Sequence, residues 1–316
     1  MRVVAALGGN ALVRRGQAIS VATQRENAAI AARALVPLLR EHEVTITHGN
    51  GPQVGLLLLE SEAEPLVEPY PLDVLDAESE GMIGYLLEQA LLNELPELQV
   101  ATLLTQTVVD ADDPAFAAPS KPVGPLYDEA TARRLERERG FAVRPDTGGW
   151  RRVVASPRPR RILERASIRV LAGAGTVVIA AGGGGVPVVL DDAGRPRGVE
   201  GVVDKDLVAA LLARDLGADA LLLLTDVDAV YEGFGTPHAR PVGELTPRQA
   251  EQLIARRAVA DGSMAPKLDA AARFATGGGT AIVSSLEHAA RAMAGTAGTR
   301  IAGRAGRTAA FASGRA

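Results

Sequence analysis

Apolar residues along this chain fall into two rhythms. Short unbroken runs at Val3–Leu7, Val44–Thr47, Val100–Thr105, Val177–Ala181, Leu221–Leu224 and Ala281–Val283 read as strands buried on both faces. Between them, apolar residues recur at three- and four-residue spacing, as on a helix packed by one side. Thr23–Arg40 places Ala28, Ala31, Leu35, Leu38 and Leu39 on one face, with Pro37 as a candidate kink. Glu80–Leu95 aligns Ile83, Leu86, Leu87, Ala90 and Leu91. The segment from His48 to Gly55 turns into an apolar helix, and Glu60–Asp76 reads as a Pro- and acid-rich connector. Asp204–Leu216, Pro247–Arg257 and Pro266–Phe274 complete the predicted helices, the last with proline in its first turn.

Strand, glycine or polar loop, then helix: this unit recurs at Leu7, Thr47, Ala181 and Thr225. It predicts an α/β fold, a mainly parallel sheet covered by helices on both faces. In such sheets ligands sit at the carboxyl ends of the strands, where these loops gather. From Asp110 to about Arg165 the pattern breaks. Prolines recur (Pro114, Pro119, Pro122, Pro125, Pro145, Pro157, Pro159), charge is high and apolar runs are short. This stretch is expected to leave the main sheet as a small lid or protruding subdomain, the plainer alternative being a long surface insertion. Residues after Gly303 are rich in Ala, Gly and Arg and read as a frayed tail, 304–316.

Composition narrows the function. The chain has 316 residues, enough for one large domain or two smaller ones, and 47% hydrophobic content marks it as globular. A net charge of −4 offers no general basic field to nucleic acid. Cysteine is absent, which excludes disulfides, thiolate catalysis and Cys-ligated metal and is compatible with a reducing cytoplasm. No run approaches the roughly 20 apolar residues of a membrane span, and the N-terminal apolar run ends at Gly8-Gly9, so it reads as a first strand and not a leader.

Basic residues change the picture most. Of 34 Lys+Arg only three are lysines, Lys121, Lys205 and Lys267. Two lie in Gly/Pro-rich loop sequence and Lys205 is wedged between Asp204 and Asp206. A lysine is a compact, mobile point charge, suited to a phosphoryl group that moves during reaction. Glycine loops that let backbone N–H groups approach an anion strengthen that idea. Asp206 is placed to orient the lysines, or simply to favour a helix N-terminus. Thr225, Asp226 and Asp228 end a strand, where they meet a nucleotide or its Mg²⁺, or form a plain turn. Gly49-x-Gly51-x-x-x-Gly55 looks like a dinucleotide fingerprint, but it follows the second strand and Pro52 removes a donor. The four histidines lack metal-ligand spacing, and no Walker A or G-x-S-x-G sequence is present.

The motifs that carry a wider resemblance are Ala6-Leu7-Gly8-Gly9-Asn10-Ala11, His48-Gly49-Asn50-Gly51-Pro52-Gln53-Val54-Gly55, Lys121-Pro122-Val123-Gly124-Pro125 and Trp150-Arg151-Arg152-Val153-Val154. To these are added Gly182-Gly183-Gly184-Gly185-Val186-Pro187, Val203-Asp204-Lys205-Asp206, Leu224-Thr225-Asp226-Val227-Asp228, Gly262-Ser263-Met264-x-Pro266-Lys267 and Ser285-Leu286-Glu287. With them the chain resembles the carbamate kinases of the amino-acid kinase fold, from about Val3 to Ile301. The resemblance implies a three-layer αβα sandwich with a subdomain around 114–165 inserted in a domain spanning 1–303, a homodimer, and Mg²⁺ carried by nucleotide phosphates. It implies reversible phosphoryl transfer between carbamoyl phosphate and ADP, usually in arginine fermentation. By motif, Gly8, Gly9, Asn10, Gly49, Asn50 and Gly51 would hold the carbamoyl and phosphoryl groups. Lys121 would reach in from the subdomain, Lys205 and Lys267 would neutralise charge, and Asp206 would organise them. Thr225, Asp226, Val227, Tyr231 and Met264 would border the nucleotide together with Lys267. Gly148 stands where an arginine is usual and Ala155 where a proline is usual, which weakens any anion contact borrowed from there. Rivals are a same-fold kinase of another small carboxylate, a nicotinamide dehydrogenase and a catalytically silent homologue.

Overall fold

The computed structural model describes residues 1–9, 12–14, 16–63, 68–259 and 264–303. In chain order, β1 (Arg2–Leu7) leads to α1 (Val21–Glu41), β2 (Glu43–His48), α2 (Gly51–Ala63), α3 (Leu72–Glu94) and β3 (Val100–Thr102). The middle of the chain forms β4 (Gln106–Val109), β5 (Lys121–Tyr127), α4 (Glu129–Arg139), β6 (Val143–Asp146), β7 (Gly149–Val154), β8 (Pro159–Ile162), α5 (Arg165–Gly173) and β9 (Val177–Ile179). Then come β10 (Val186–Leu190), β11 (Pro196–Gly198), α6 (Lys205–Leu216), β12 (Ala220–Thr225), β13 (Val230–Glu232), β14 (Arg240–Val242) and β15 (Glu244–Leu245). The chain closes with α7 (Pro247–Ala255), α8 (Met264–Thr276), β16 (Thr280–Ser285), α9 (Ala289–Met293) and β17 (Thr299–Ile301). The predicted tail, 304–316, lies outside the described residues.

The main sheet has the order β15-β17-β16-β12-β1-β2-β9-β3. All its pairings are parallel except β16 with β17. Alternate residues of each strand enter different cores, as the period of two requires. Val4, Ala6, Leu221 and Leu223 pack with Ile168, Val208, Leu212, Leu253 and Leu268 of α5 to α8. Val3, Ala5, Leu7, Leu222 and Leu224 pack with Ala28, Leu35, Ile83, Leu87 and Met293 of α1, α3 and α9. Helices therefore cover both faces and make three layers. Each fully buried Leu or Ile contributes roughly 1.5–3 kcal/mol.

Register sets up the site. Leu7 lies opposite His48 on one side and Leu224 on the other, so three strands end level and their loops emerge together.

Local structure departs from the hydrophobic pattern in three places. First, Glu60–Asp76 is not all connector: α2 runs to Ala63 and α3 begins at Leu72, after Pro71 and with Asp73 in its first turn. Second, Val100–Thr105 is not one strand. The chain turns at Thr105, whose N–H donates to Glu80 Oε2 (2.9 Å) and whose Oγ1 accepts from the Ala181 N–H (2.9 Å). Third, β4 then joins a second sheet, β11-β10-β4-β8, that no apolar run announced.

Within residues 114–165, β5, β7 and β6 make a separate antiparallel sheet, while β8 pairs with β4. Arg152 fastens this small sheet to the body. Its guanidinium lies 3.9 Å from the Phe141 ring centre and donates to Glu200 Oε1 at 2.6 Å. The unusual Gly148 belongs to the tight connection between β6 and β7, where Asp146 pairs with Gly149.

Candidate active site

The loops after β1 and β2 touch. A Cβ on Gly49 would stand 2.9 Å from both the N and Cα of Gly9, and 3.5 Å from Lys205 Cδ, so only glycine admits this approach. Of the four glycines expected to hold the carbamoyl and phosphoryl groups (Gly8, Gly9, Gly49 and Gly51), two use their amides elsewhere. The Gly8 N–H donates to Leu224 O (2.9 Å) and the Gly49 N–H to Leu7 O (3.0 Å), which spends both amides on continuing the sheet. Gly8 and Gly49 thus supply space in place of donors. Open amides come from the end of α2 instead. The bond from Val54 N–H to Asn50 O opens the helix, and among the described residues the Gly51 and Gln53 amides have no backbone partner. Asn10 lies outside the described residues.

Facing these loops is the N-terminus of α6. Asp204 caps it, accepting from the Asp206 N–H at 3.0 Å and the Leu207 N–H at 3.4 Å. Asp206 then holds two ammonium groups, Lys205 Nζ on Oδ1 (2.6 Å) and Lys267 Nζ on Oδ2 (3.0 Å). All three side chains are buried or nearly so. Burial alone would raise the Asp206 carboxyl. The charges of Lys205 and Lys267, and the hydrogen bonds both donate, outweigh it and hold the group far below the usual carboxylate range. Burial also lowers the Lys205 ammonium, against the pull of Asp206. Two cations share one anion here, so one buried positive charge is left for an incoming anion.

Lys121 reaches the same place through strand register. It pairs with Val154 across β5 and β7, and the next residue, Ala155, bridges to Gly201 just before α6. The Val202 N–H donates to Ala155 O (2.9 Å), and Lys121 Nζ donates to Asp204 Oδ2 (2.9 Å). Asp204 therefore caps the helix with one oxygen and holds the third lysine with the other.

Beneath the loops lies a polar set that the apolar pattern did not flag. Asn50 Nδ2 donates to Ser79 Oγ (2.9 Å) and Asp76 Oδ1 (3.2 Å) of α3. Burial pushes the Asp76 and Glu80 carboxyls well above their ordinary values, and hydrogen bonds from Asn50 and Thr105 only partly oppose it. His48 is also buried. Its Nδ1–H donates to Gly49 O (3.2 Å), and burial lowers the ring to about 4, so it is neutral near pH 7. The glycine run packs on this set: Gly182 lies against His48 and Glu80, Gly183 against Asn50, and Gly184 against Val203 O. A signal for Asp76, Ser79 and Glu80 did exist, since they extend the stripe of Ile83, Leu87 and Leu91 by helical spacing.

The predicted nucleotide border is more open. Thr225 is half-buried and its Oγ1 donates to Asp226 Oδ1 (3.1 Å). Tyr231 donates to Asp228 Oδ1 (2.8 Å). Val227 and the buried Met264 belong to one apolar cluster, and Met264 opens α8 one turn before Lys267. A separate cavity of about 280 Å³ opens between β8, α6 and α8 and includes none of these residues.

Residues 1–283 match the Amino acid kinase family. The carbamate kinase of Rhizobium meliloti is 50% identical over 278 residues, 87% of this chain and 84% of that one. That of Pyrococcus furiosus is 47% identical over 310 residues, 95% of this chain and 98% of that one. In three dimensions, a carbamate kinase from Giardia lamblia bound to AMP-PNP superposes with a TM-score of 0.89 at 38% identity, covering 96% of this chain and 98% of that chain.

Proposed function

The chain belongs to the amino acid kinase family, and from that premise we propose that it works as a carbamate kinase, moving a phosphoryl group between carbamoyl phosphate and ADP. The observation that carries this reading is the double grip of Asp206 on Lys205 and Lys267, a surplus buried positive charge beside the Gly9 and Gly49 loops.

In the ATP-forming direction a terminal oxygen of ADP attacks phosphorus, the bond from phosphorus to the carbamoyl oxygen breaks, and carbamate leaves. Carbamate then decomposes to ammonia and CO₂. The attacking oxygen is already anionic, so no general base is required. Charge moves from oxygen to oxygen across phosphorus, and fixed cations that meet it there lower the barrier. Lys205 and Lys267 supply those cations, and Asp206 prevents them from separating. Lys121, held by Asp204, brings a third charge from the small sheet. Unpartnered amides at the start of α2 would add donors for the same anion.

Mg²⁺ fits this reading as the partner of the nucleotide phosphates. Among the described residues no group of three or more His, Asp or Glu side chains is gathered into a metal cage. The cation supplies further neutralisation of phosphate charge when bound. The reading extends to a homodimer, a cytoplasmic location and a part in arginine catabolism. Among the described residues no helix is long and apolar enough to cross a membrane.

The test is ATP formation from ADP, Mg²⁺ and carbamoyl phosphate, beside acetyl phosphate and acetylglutamyl phosphate. Rapid ATP from carbamoyl phosphate alone is the expected result. ATP from acetylglutamyl phosphate alone would move the chain to another branch of the family, and folded protein with no ATP from any donor would mark a silent homologue.

A further inference from the structure

Asn50 is held from two sides. Its Nδ2 donates both hydrogens to α3, one to Ser79 Oγ (2.9 Å) and one to Asp76 Oδ1 (3.2 Å). Ser79 spends its own hydroxyl hydrogen on the Asp76 main-chain oxygen (2.8 Å), so toward Asn50 it can only accept. That settles which end of the carboxamide is nitrogen. Gly183 also lies against it, at a φ of 67°, where any Cβ would overlap the Asn50 side chain. Among the described residues nothing donates to Asn50 Oδ1. Its neighbour Gly49 lies against Gly9 and the stem of Lys205, which places Asn50 at the edge of the charged site.

We propose that Asp76 and Ser79 are positioning residues that turn the Asn50 carbonyl oxygen toward the substrate, where it accepts a hydrogen bond from the substrate's amino group. With both amide hydrogens committed to α3, Asn50 has none to offer a phosphoryl oxygen through its side chain. A carbonyl oxygen repels an anion and suits an N–H. The inference rests on the carbamoyl phosphate reading above and explains how that site tells an amino group from a methyl group of similar size. A site built to pair a polar group discriminates strongly against an analogue that lacks it.

Steady-state kinetics with carbamoyl phosphate and acetyl phosphate test this in wild type, Ser79→Ala, Asp76→Ala and Asp76→Asn. In the two alanine variants the ratio of kcat/KM for carbamoyl over acetyl phosphate is expected to fall about tenfold, with the KM for ADP unchanged. Asp76→Asn keeps an acceptor oxygen and is expected to retain the wild-type ratio. An unchanged ratio in Ser79→Ala, or equal loss in Asp76→Asn and Asp76→Ala, would overturn the proposal. Should Asp76→Ala fail to fold, Ser79→Ala, which removes only a hydroxyl, decides alone. A second readout needs no turnover: the ¹⁵N–¹H side-chain signals of Asn50 should resist exchange in wild type and lose protection in Ser79→Ala. Rapid exchange in wild type would overturn the positioning role. Absence of ATP from carbamoyl phosphate in wild type would overturn the substrate half together with the proposed function, while the exchange data would still judge the positioning half.

Discussion

A lysine that neutralises a migrating charge should matter more to turnover than to binding. Lys205→Ala and Lys267→Ala are each expected to lower kcat by about 10²–10³-fold, as for loss of one preorganised charge or donor, with little change in nucleotide affinity. Near-wild-type kcat in both, measured at saturating ADP and carbamoyl phosphate, would remove them from the chemistry. Asp206→Asn acts differently, because Asp206 is what keeps two buried ammonium groups together. Breaking a buried ion pair from one side costs about 3–5 kcal/mol, so this variant should unfold at markedly lower urea than wild type. Lys121→Arg should also lower kcat, since a planar fork does not reproduce a point charge that bonds Asp204 Oδ2. The rarity of lysine made all three legible from the sequence. The grip of one carboxylate on two of them was not legible, because Asp206 and Lys267 are 61 positions apart and only the packing of α6 on α8 joins them.

Elements show the same division. The glycine run after β9 could be read as a motif, but its work is contact: it packs on His48, Glu80, Asn50, Val203 and Thr107. At Gly183 a left-handed backbone and the Asn50 carboxamide both exclude a side chain. Gly183→Ala should therefore destabilise the protein by at least about 1 kcal/mol, visible in the denaturation midpoint, and should disturb Asn50 as well. On α3, the apolar stripe that predicts a helix from Glu80 continues upstream through Asp76 and Ser79 as polar residues. A pattern based on hydrophobicity stops where the buried face turns polar, so Leu72–Asp76 at the start of α3 reads as connector. Asn50, Thr105 and the Asp76 carbonyl satisfy these polar residues only in part, since Asp76 Oδ2 and Glu80 Oε1 are buried with no hydrogen-bond partner among the described residues.

Across the whole molecule these buried groups link stability to pH. Folded Asp76 and Glu80 keep protons that the unfolded chain releases above ordinary values of 3.8 and 4.5. Their contribution is present below those values and is lost as pH rises through the raised folded ones. His48 has the opposite sign. It is lowered from 6.5 to about 4, so its contribution is present above 6.5 and is lost as pH falls toward 4. Glu80→Gln removes one titration, so its Tm relative to wild type should climb as pH rises above the ordinary carboxyl value of 4.5. A flat difference would show that Glu80 does not hold its proton.

By itself, the sequence determined the alternation of buried strands and one-sided helices, the mainly parallel sheet, and the gathering of loops after Leu7, Thr47 and Thr225. These follow from burial at periods of 2 and 3.6, which each segment carries in its own residues. Tertiary structure alone decided which groups in those loops are free to act. It turned the Gly8 and Gly49 amides into the sheet, ended the strand from Val100 at Thr102 with the next strand, from Gln106, in a second sheet, and placed Asp76 and Ser79 under Asn50. The physical reason is that a periodic pattern states that a residue is buried, whereas a hydrogen bond or ion pair depends on which distant segment the topology brings against it.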